Sequence, residues 1–152
     1  PEPHNRGHGD LRTQTLYRWY TMNPNLPALS IRQPWVISIL QGGKDIENRS
    51  SNTKHRGKFL IHAAAKFTQE EVDAWKIFCD AQEIPMDWAK QITIPSLKVG
   101  GIVGEADLVD VVTESTSPWF CGPFGFVLRN VKPLPFVRCR GALGFFKPEF
   151  DR

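Results

Sequence analysis

Long apolar runs are missing from this chain. Nothing in its 152 residues approaches the ~20 consecutive apolar residues of a membrane-spanning helix, and the N-terminus has no apolar stretch of the signal-peptide kind. The expectation is a soluble protein of the cytoplasm, with no membrane partner. Cysteine is scarce as well. Cys79, Cys121 and Cys139 are odd in number and form no C-x-x-C pair, so neither a disulfide framework nor a zinc set is indicated, and a reducing compartment fits. His4, His8 and His55 stand without carboxylate or cysteine partners at metal-ligand spacing, so no metal site is expected. Strong charge of one sign is also absent. Lys and Arg number 19 against 16 Asp and Glu, a net +3, which is compatible with an anionic partner and does not demand one.

The length fits one domain able to bury a core without staples. Residues 1–27 read as an N-terminal extension or arm: 1–10 are rich in Pro, His and Gly, and 23–27 resemble a linker. Within the arm, Leu16, Tyr17, Trp19 and Tyr20 are apolar enough at helical spacing to dock on the domain or on another copy. The domain proper is expected over 28–148. A short strand at 28–32 leads into a helix at 35–40, started by Pro34 and stopped by Gly42 and Gly43 in left-handed conformation. Strands follow at 45–50 and 58–64. Thr68 with Glu71 forms a capping-box pattern ahead of a helix carrying Val72, Trp75, Ile77 and Phe78. After a short helical turn at 86–91, a long strand at 99–113 contains Gly100, Gly101 and Gly104, which predicts a bulge. Strands at 126–131, 136–140 and 142–146 complete an α+β fold, a small mixed β-barrel flanked by two or three helices.

Chemistry-bearing groups concentrate in two segments. Leu29-Ser30-Ile31-Arg32-Gln33-Pro34-Trp35 precedes Gly42-Gly43-Lys44-Asp45-Ile46-Glu47-Asn48-Arg49 by one short helix, crowding aromatic, amide, cationic and anionic groups around a single turn. Lys44 at a strand start either binds phosphate as a point charge or, buried, loses its proton and serves as a base. Strand alternation puts Glu47 and Arg49 on one face, as part of a site or as an ion pair on a wet surface. Trp35 and Trp119 are candidate stacking partners for a base, or core residues. The loop around Trp119 and Phe120, punctuated by glycines including Gly125, suggests exposure of Trp119 at a cleft rim. Gln33 either reads a base edge or caps the helix after it. Glu105 and Asp107 share a strand face and could approach Lys44 as an acid/base partner or a weak magnesium site, the alternative being solvated strand residues. His62, inside an apolar strand, reads as a core histidine with one hydrogen bond. Lys54, His55, Arg56 and Lys58 form one basic cluster, and Arg129, Lys132, Arg138 and Arg140 another. Each is a phosphate track or an ordinary wet face.

The patterns S-I-R-Q-P-W and G-x-K-x-x-E-x-R, as they stand in 30–35 and 42–49, resemble the ASCH family of PUA-like β-barrel modules, and the resemblance runs from Leu29 to Phe146. It implies a cleft between the first helix and the sheet, with Gln33, Pro34, Trp35, Lys44, Glu47 and Arg49 lining it and Gly122 to Phe126, beside Trp119 and Phe120, as its wall. Family members are thought to bind RNA or modified nucleosides. Some cut single-stranded RNA, and one bacterial branch hydrolyses N4-acylated cytidine with lysine, threonine and glutamate. In that branch threonine stands three residues after the lysine; here the position is Glu47, and Ser50 or Thr53 would have to replace it from elsewhere. The resemblance therefore implies a module for single-stranded RNA or a modified nucleoside, with no cofactor. As a ribonuclease it would use Lys44, Glu47 and Glu105 and could require magnesium. Hydrolysis of acylated cytidine and a purely protein-binding role are the alternatives.

Overall fold

A computed structural model describes residues 22–150. The arm residues 16, 17, 19 and 20 lie outside the described residues. Strand β1 (Ala28–Ile31) leads to helix α1 (Trp35–Gln41), then β2 (Ile46–Arg49) and β3 (Gly57–Ala63). Helix α2 (Gln69–Ala81), 3-10 turns at Asp87–Ala89 and Ile94–Ser96, and strands β4 (Gly101–Val112), β5 (Phe124–Arg138) and β6 (Phe145–Phe146) complete the order. The six strands form one curled sheet, a half-barrel in the order β2-β5-β4-β3-β1-β6. The β1–β3 pairing is parallel and the other pairings are antiparallel, so the sheet is mixed as the sequence predicted.

Local chemistry explains the elements. The middle of β3, Phe59 to Ala63, is buried without alternation because β1 and β4 flank it and the sheet is covered on both faces. Thr68 and Glu71 make the expected reciprocal capping box. Helix α2 buries Val72, Trp75 and Cys79 at i, i+3 and i+7, which turns Ile77 outward to 70% exposure. The expected bulge in β4 is present: its pairing with β5 slips at three points. Two late strands expected at 126–131 and 136–140 are one continuous strand, β5. The slips in its pairing with β4 absorb Pro133 and Pro135, which sequence alone reads as a break.

The interior of the curl holds Leu29, Phe59, Ile61, Leu108, Phe126 and Leu128, with Val36 and Ile39 of α1 laid over them. Outside the sheet, Trp75 and Cys79 of α2 pack on Ile46 and Trp119. Met22 is buried with Leu60, Ile102 and Leu134. Two contacts draw the open sides of the curl together: the Phe126 and Phe145 rings stack at 6.3 Å between centroids, and Arg49 Nη1 donates to the Ser30 carbonyl at 3.3 Å.

His62 is a core histidine, as expected, but with two partners: Nδ1 lies 2.9 Å from Ser30 Oγ and Nε2 2.8 Å from the Cys139 carbonyl oxygen. Burial holds its pKa below 6.5. The unfolded chain therefore takes up a proton that the folded one resists, and stability falls as pH drops through 6.5. Chemical denaturation from about pH 7.5 to about pH 5.5 should show a shallower loss of stability in His62→Gln than in wild type, and equal slopes would contradict this origin. Phe59, fully buried against Phe145, should lose about 3–5 kcal/mol on Phe59→Ala in urea melts.

Candidate functional site

Helix α1 delivers the first residues of the site. Gln33 is 2% exposed, and its side-chain oxygen accepts from the Ile37 N–H at 3.1 Å while its amide nitrogen donates to the Lys98 carbonyl at 3.0 Å. Its amide is thus engaged in capping α1 and tying down the 98 loop, rather than turned to a base edge. Pro34 occupies the N-cap position after a cis peptide, one residue earlier than the sequence predicted, and is buried. At the other end, Ser38 O accepts from both Gly42 N and Lys44 N. Only Gly43 of the glycine pair takes the left-handed conformation, φ +73°; Gly42 stays at −100°. This double-accepted turn aims Lys44 inward.

The Lys44 side chain is 1% exposed. Its ammonium donates to the Ile46 carbonyl, lies 3.6 Å from Glu47 Oε1, and sits 5.4 Å from the Trp35 ring and 5.9 Å from the Trp119 ring. Burial drives its pKa below 10.5, opposed by the Glu47 carboxylate. Glu47 pairs with Lys44, not Arg49, and is itself 6% exposed, so the surface Glu47–Arg49 ion pair does not form. Arg49, half-buried, instead bridges to β1.

The Trp119 loop differs from its expectation. Trp119 is 4% exposed, not at a rim, because Asn48 clasps the loop: its amide donates to the Trp119 carbonyl at 2.9 Å, and its oxygen accepts from the N–H of Cys121 and of Gly122. Ser117 Oγ adds a hydrogen bond to Asp45 at 2.6 Å. Trp35 is partly exposed and meets Phe78 edge-on at 5.4 Å. Phe120, half-buried, lies over Gly125, where a Cβ would come within 2.8 Å of its ring. Asn48 escaped the sequence reading. Its signal is an amide on a strand residue that pairs with Gly125, directly after the aromatic loop.

Glu105 is drawn away from this cluster. It is 8% exposed and its ion partner is Lys58, at 3.7 Å, instead of Lys44; Asp107 accepts from Asn130 at 2.8 Å. The pairing register sets this, since Glu105 lies opposite Leu60 and Lys132. Glu105 and Asp107 are thus engaged by Lys58 and Asn130, and no cluster of three or more His, Cys, Asp or Glu suited to a metal occurs among the described residues. No helix among the described residues is long and apolar enough to cross a membrane. The result is a buried ammonium–carboxylate pair walled by two indoles, with Trp35, Phe120 and Arg49 reaching the surface beside it.

Such a pair resists one-sided change. Lys44→Met should destabilise the fold by about 3–5 kcal/mol because Glu47 is left buried and alone, while Lys44→Met/Glu47→Leu should recover most of it. Equal losses in the single and double variants, measured by urea denaturation, would argue against a coupled pair.

The chain is 27% identical over 116 residues to Activating signal cointegrator 1 of Homo sapiens, an alignment that covers 68% of this chain and 19% of that protein. The family model of the ASCH domain matches residues 29–122, more than half of the chain and including the whole Lys44 turn. The chain belongs to the ASCH domain family.

Proposed function

We propose that the domain binds single-stranded RNA or a modified nucleoside beside the Lys44 turn. The observation that carries this reading is the desolvated Lys44–Glu47 pair between Trp35 and Trp119. A buried charge pair adds little net stability compared with apolar residues of the same volume, and titratable groups displaced by burial together with a specific charge partner concentrate at functional sites. In this reading the partly exposed rings of Trp35 and Phe120 offer π-faces to a base, each stack contributing roughly 1–3 kcal/mol. Lys44, enclosed, does not serve as a surface phosphate contact; Arg49 and Arg32, at the surface, carry that role. Glu47 and the Ile46 carbonyl keep the ammonium in place.

A second reading rests on the lowered pKa of Lys44. A lysine that gives up its proton near Glu47 has the chemistry of a general base, either for cleaving RNA through the 2′-hydroxyl or for hydrolysing an N4-acylated cytidine. Glu47 at the third position after the lysine supplies a carboxylate, not a hydroxyl nucleophile, so the hydrolytic route uses water. Glu105, paired with Lys58, is left out of it.

The test is fluorescence anisotropy of a labelled single-stranded RNA across a salt series, with cleavage products resolved in parallel and N4-acetylcytidine assayed for deacylation. Trp35→Ala should weaken binding by about 5- to 150-fold while leaving the salt dependence unchanged, since a stacked ring carries no charge. The binding reading fails if the wild-type protein shows no salt-dependent affinity for any single-stranded RNA and no nucleoside perturbs its tryptophan fluorescence. Cleavage or deacylation that survives Glu47→Gln and Lys44→Met/Glu47→Leu would remove the second reading.

A further inference from the structure

At the end of β5, away from the Lys44 turn, the chain forms a cavity of about 660 Å³ whose lining includes His62, Gly100, Arg138, Arg140, Gly141 and Glu149. Cys139 is 8% exposed and packs with Ile102 and Leu134 in the core, so extended alternation turns Arg138 and Arg140 out on the same side. Their backbone is held from both directions: Cys139 N donates to the Gly100 carbonyl at 3.2 Å, and the Cys139 carbonyl meets His62 Nε2 at 2.8 Å. Gly141 then runs so close to β1 and β3 that a Cβ there would stand 2.9 Å from His62 Cε1 and from Ser30 Oγ. The floor is therefore fixed before any ligand arrives. Two long cationic side chains rise from it, and neither guanidinium has a hydrogen-bond or ion-pair partner among the described residues.

The charge of the cavity narrows the ligand. Arg138 and Arg140 contribute two positive charges, Glu149 one negative, and the doubly hydrogen-bonded His62 none at neutral pH, which leaves one positive charge in excess. A guanidinium fork matches the paired oxygens of a phosphate group. One excess positive charge balances a singly charged phosphodiester better than a terminal phosphate dianion. We propose that this cavity binds one backbone phosphodiester of a single-stranded nucleic acid, with Arg138 and Arg140 as its contacts. The assignment does not rest on the Trp35–Lys44 site, and it gives the nucleic acid a second anchor on the opposite end of β5.

The experiment uses wild-type protein, Arg138→Gln/Arg140→Gln, and Lys76→Gln/Lys90→Gln, which removes the same charge from the α2 side. For a single-stranded RNA oligomer, the log–log salt slope should become shallower by about 0.7 in the arginine variant, the amount for one phosphate on a single strand, and stay unchanged in the lysine variant. In parallel, a dinucleoside monophosphate, whose single charge is its diester, should shift the backbone amide resonances of Gly100, Cys139 and Gly141 in wild type but not in the arginine variant. This arm decides the question even for a chain that binds no longer RNA. Inorganic phosphate shifting the same amides more strongly would overturn the diester assignment in favour of a free phosphate site. An unchanged slope together with silent amides would overturn the site altogether.

Discussion

An ammonium group taken out of water is the constraint around which this domain is arranged. Desolvation of Lys44 would cost several kcal/mol if nothing replaced its hydration. Its replacements are drawn from three separate places: the Ile46 carbonyl and Glu47 from β2, Trp35 from α1, and Trp119 from the loop before β5. Each of these must be delivered accurately, and the surrounding contacts do that. Gln33 caps α1, Ser38 receives two N–H groups at the turn and the indole N–H of Trp75, and Asn48 with Ser117 and Asp45 fixes the Trp119 loop. Short polar side chains here are engaged in positioning.

That arrangement divides labour by solvation. A lysine with its proton loosened by burial is a poor phosphate contact, because a point charge binds phosphate only where it can meet it. Guanidinium groups stay charged at any relevant pH, and in this fold several of them reach the surface: Arg32 in its pair with Glu71, Arg49 across the gap between β1 and β2, and Arg138 with Arg140 at the far end of β5. The modest net charge of +3 is thus compatible with an anionic partner, since the field that matters is local and falls off within about 10 Å at ordinary salt.

Much of the architecture was legible in the sequence because it is dictated locally. Thr68 and Glu71 announce the start of α2, the glycine pair announces the end of α1, and the unbroken apolar run at 59–61 announces a strand covered on both faces. Errors arose where long-range pairing overrides local signals. Pro133 and Pro135 look like a strand boundary until the slipped register of β4 accommodates them, and Ile77 looks like core until the helix phase set by Val72, Trp75 and Cys79 turns it outward. Around Lys44 the sequence did not show which side chains would become partners. Strand alternation puts Glu47 and Arg49 on one face, as part of a site or as an ion pair, whereas a lysine stem buried at the turn folds back over three residues to reach Glu47. Glu105 could approach Lys44 or stay solvated by its residue type, and pairing register gives it Lys58. Trp119 was assigned to a rim by its glycine-rich loop, and Asn48 buries it.

Closure of the curl explains why one motif serves structure and site together. The sheet order leaves β2 at one edge and β6, paired with β1, at the other, so β2 has no ladder to either of them. Arg49 reaches from β2 to the Ser30 carbonyl on β1, and the other side of Ser30 holds His62 through its hydroxyl. Ser30 is therefore the point where the Lys44 side of the domain and the His62 side meet: its backbone serves the first, its side chain the second. A ligand drawing Arg49 away from Ser30 would loosen the seam of the half-barrel, and one that leaves it in place inherits a rigid wall. Any binding at this seam gains from the second situation, because a wall ordered in advance spares the conformational entropy of ordering it on binding.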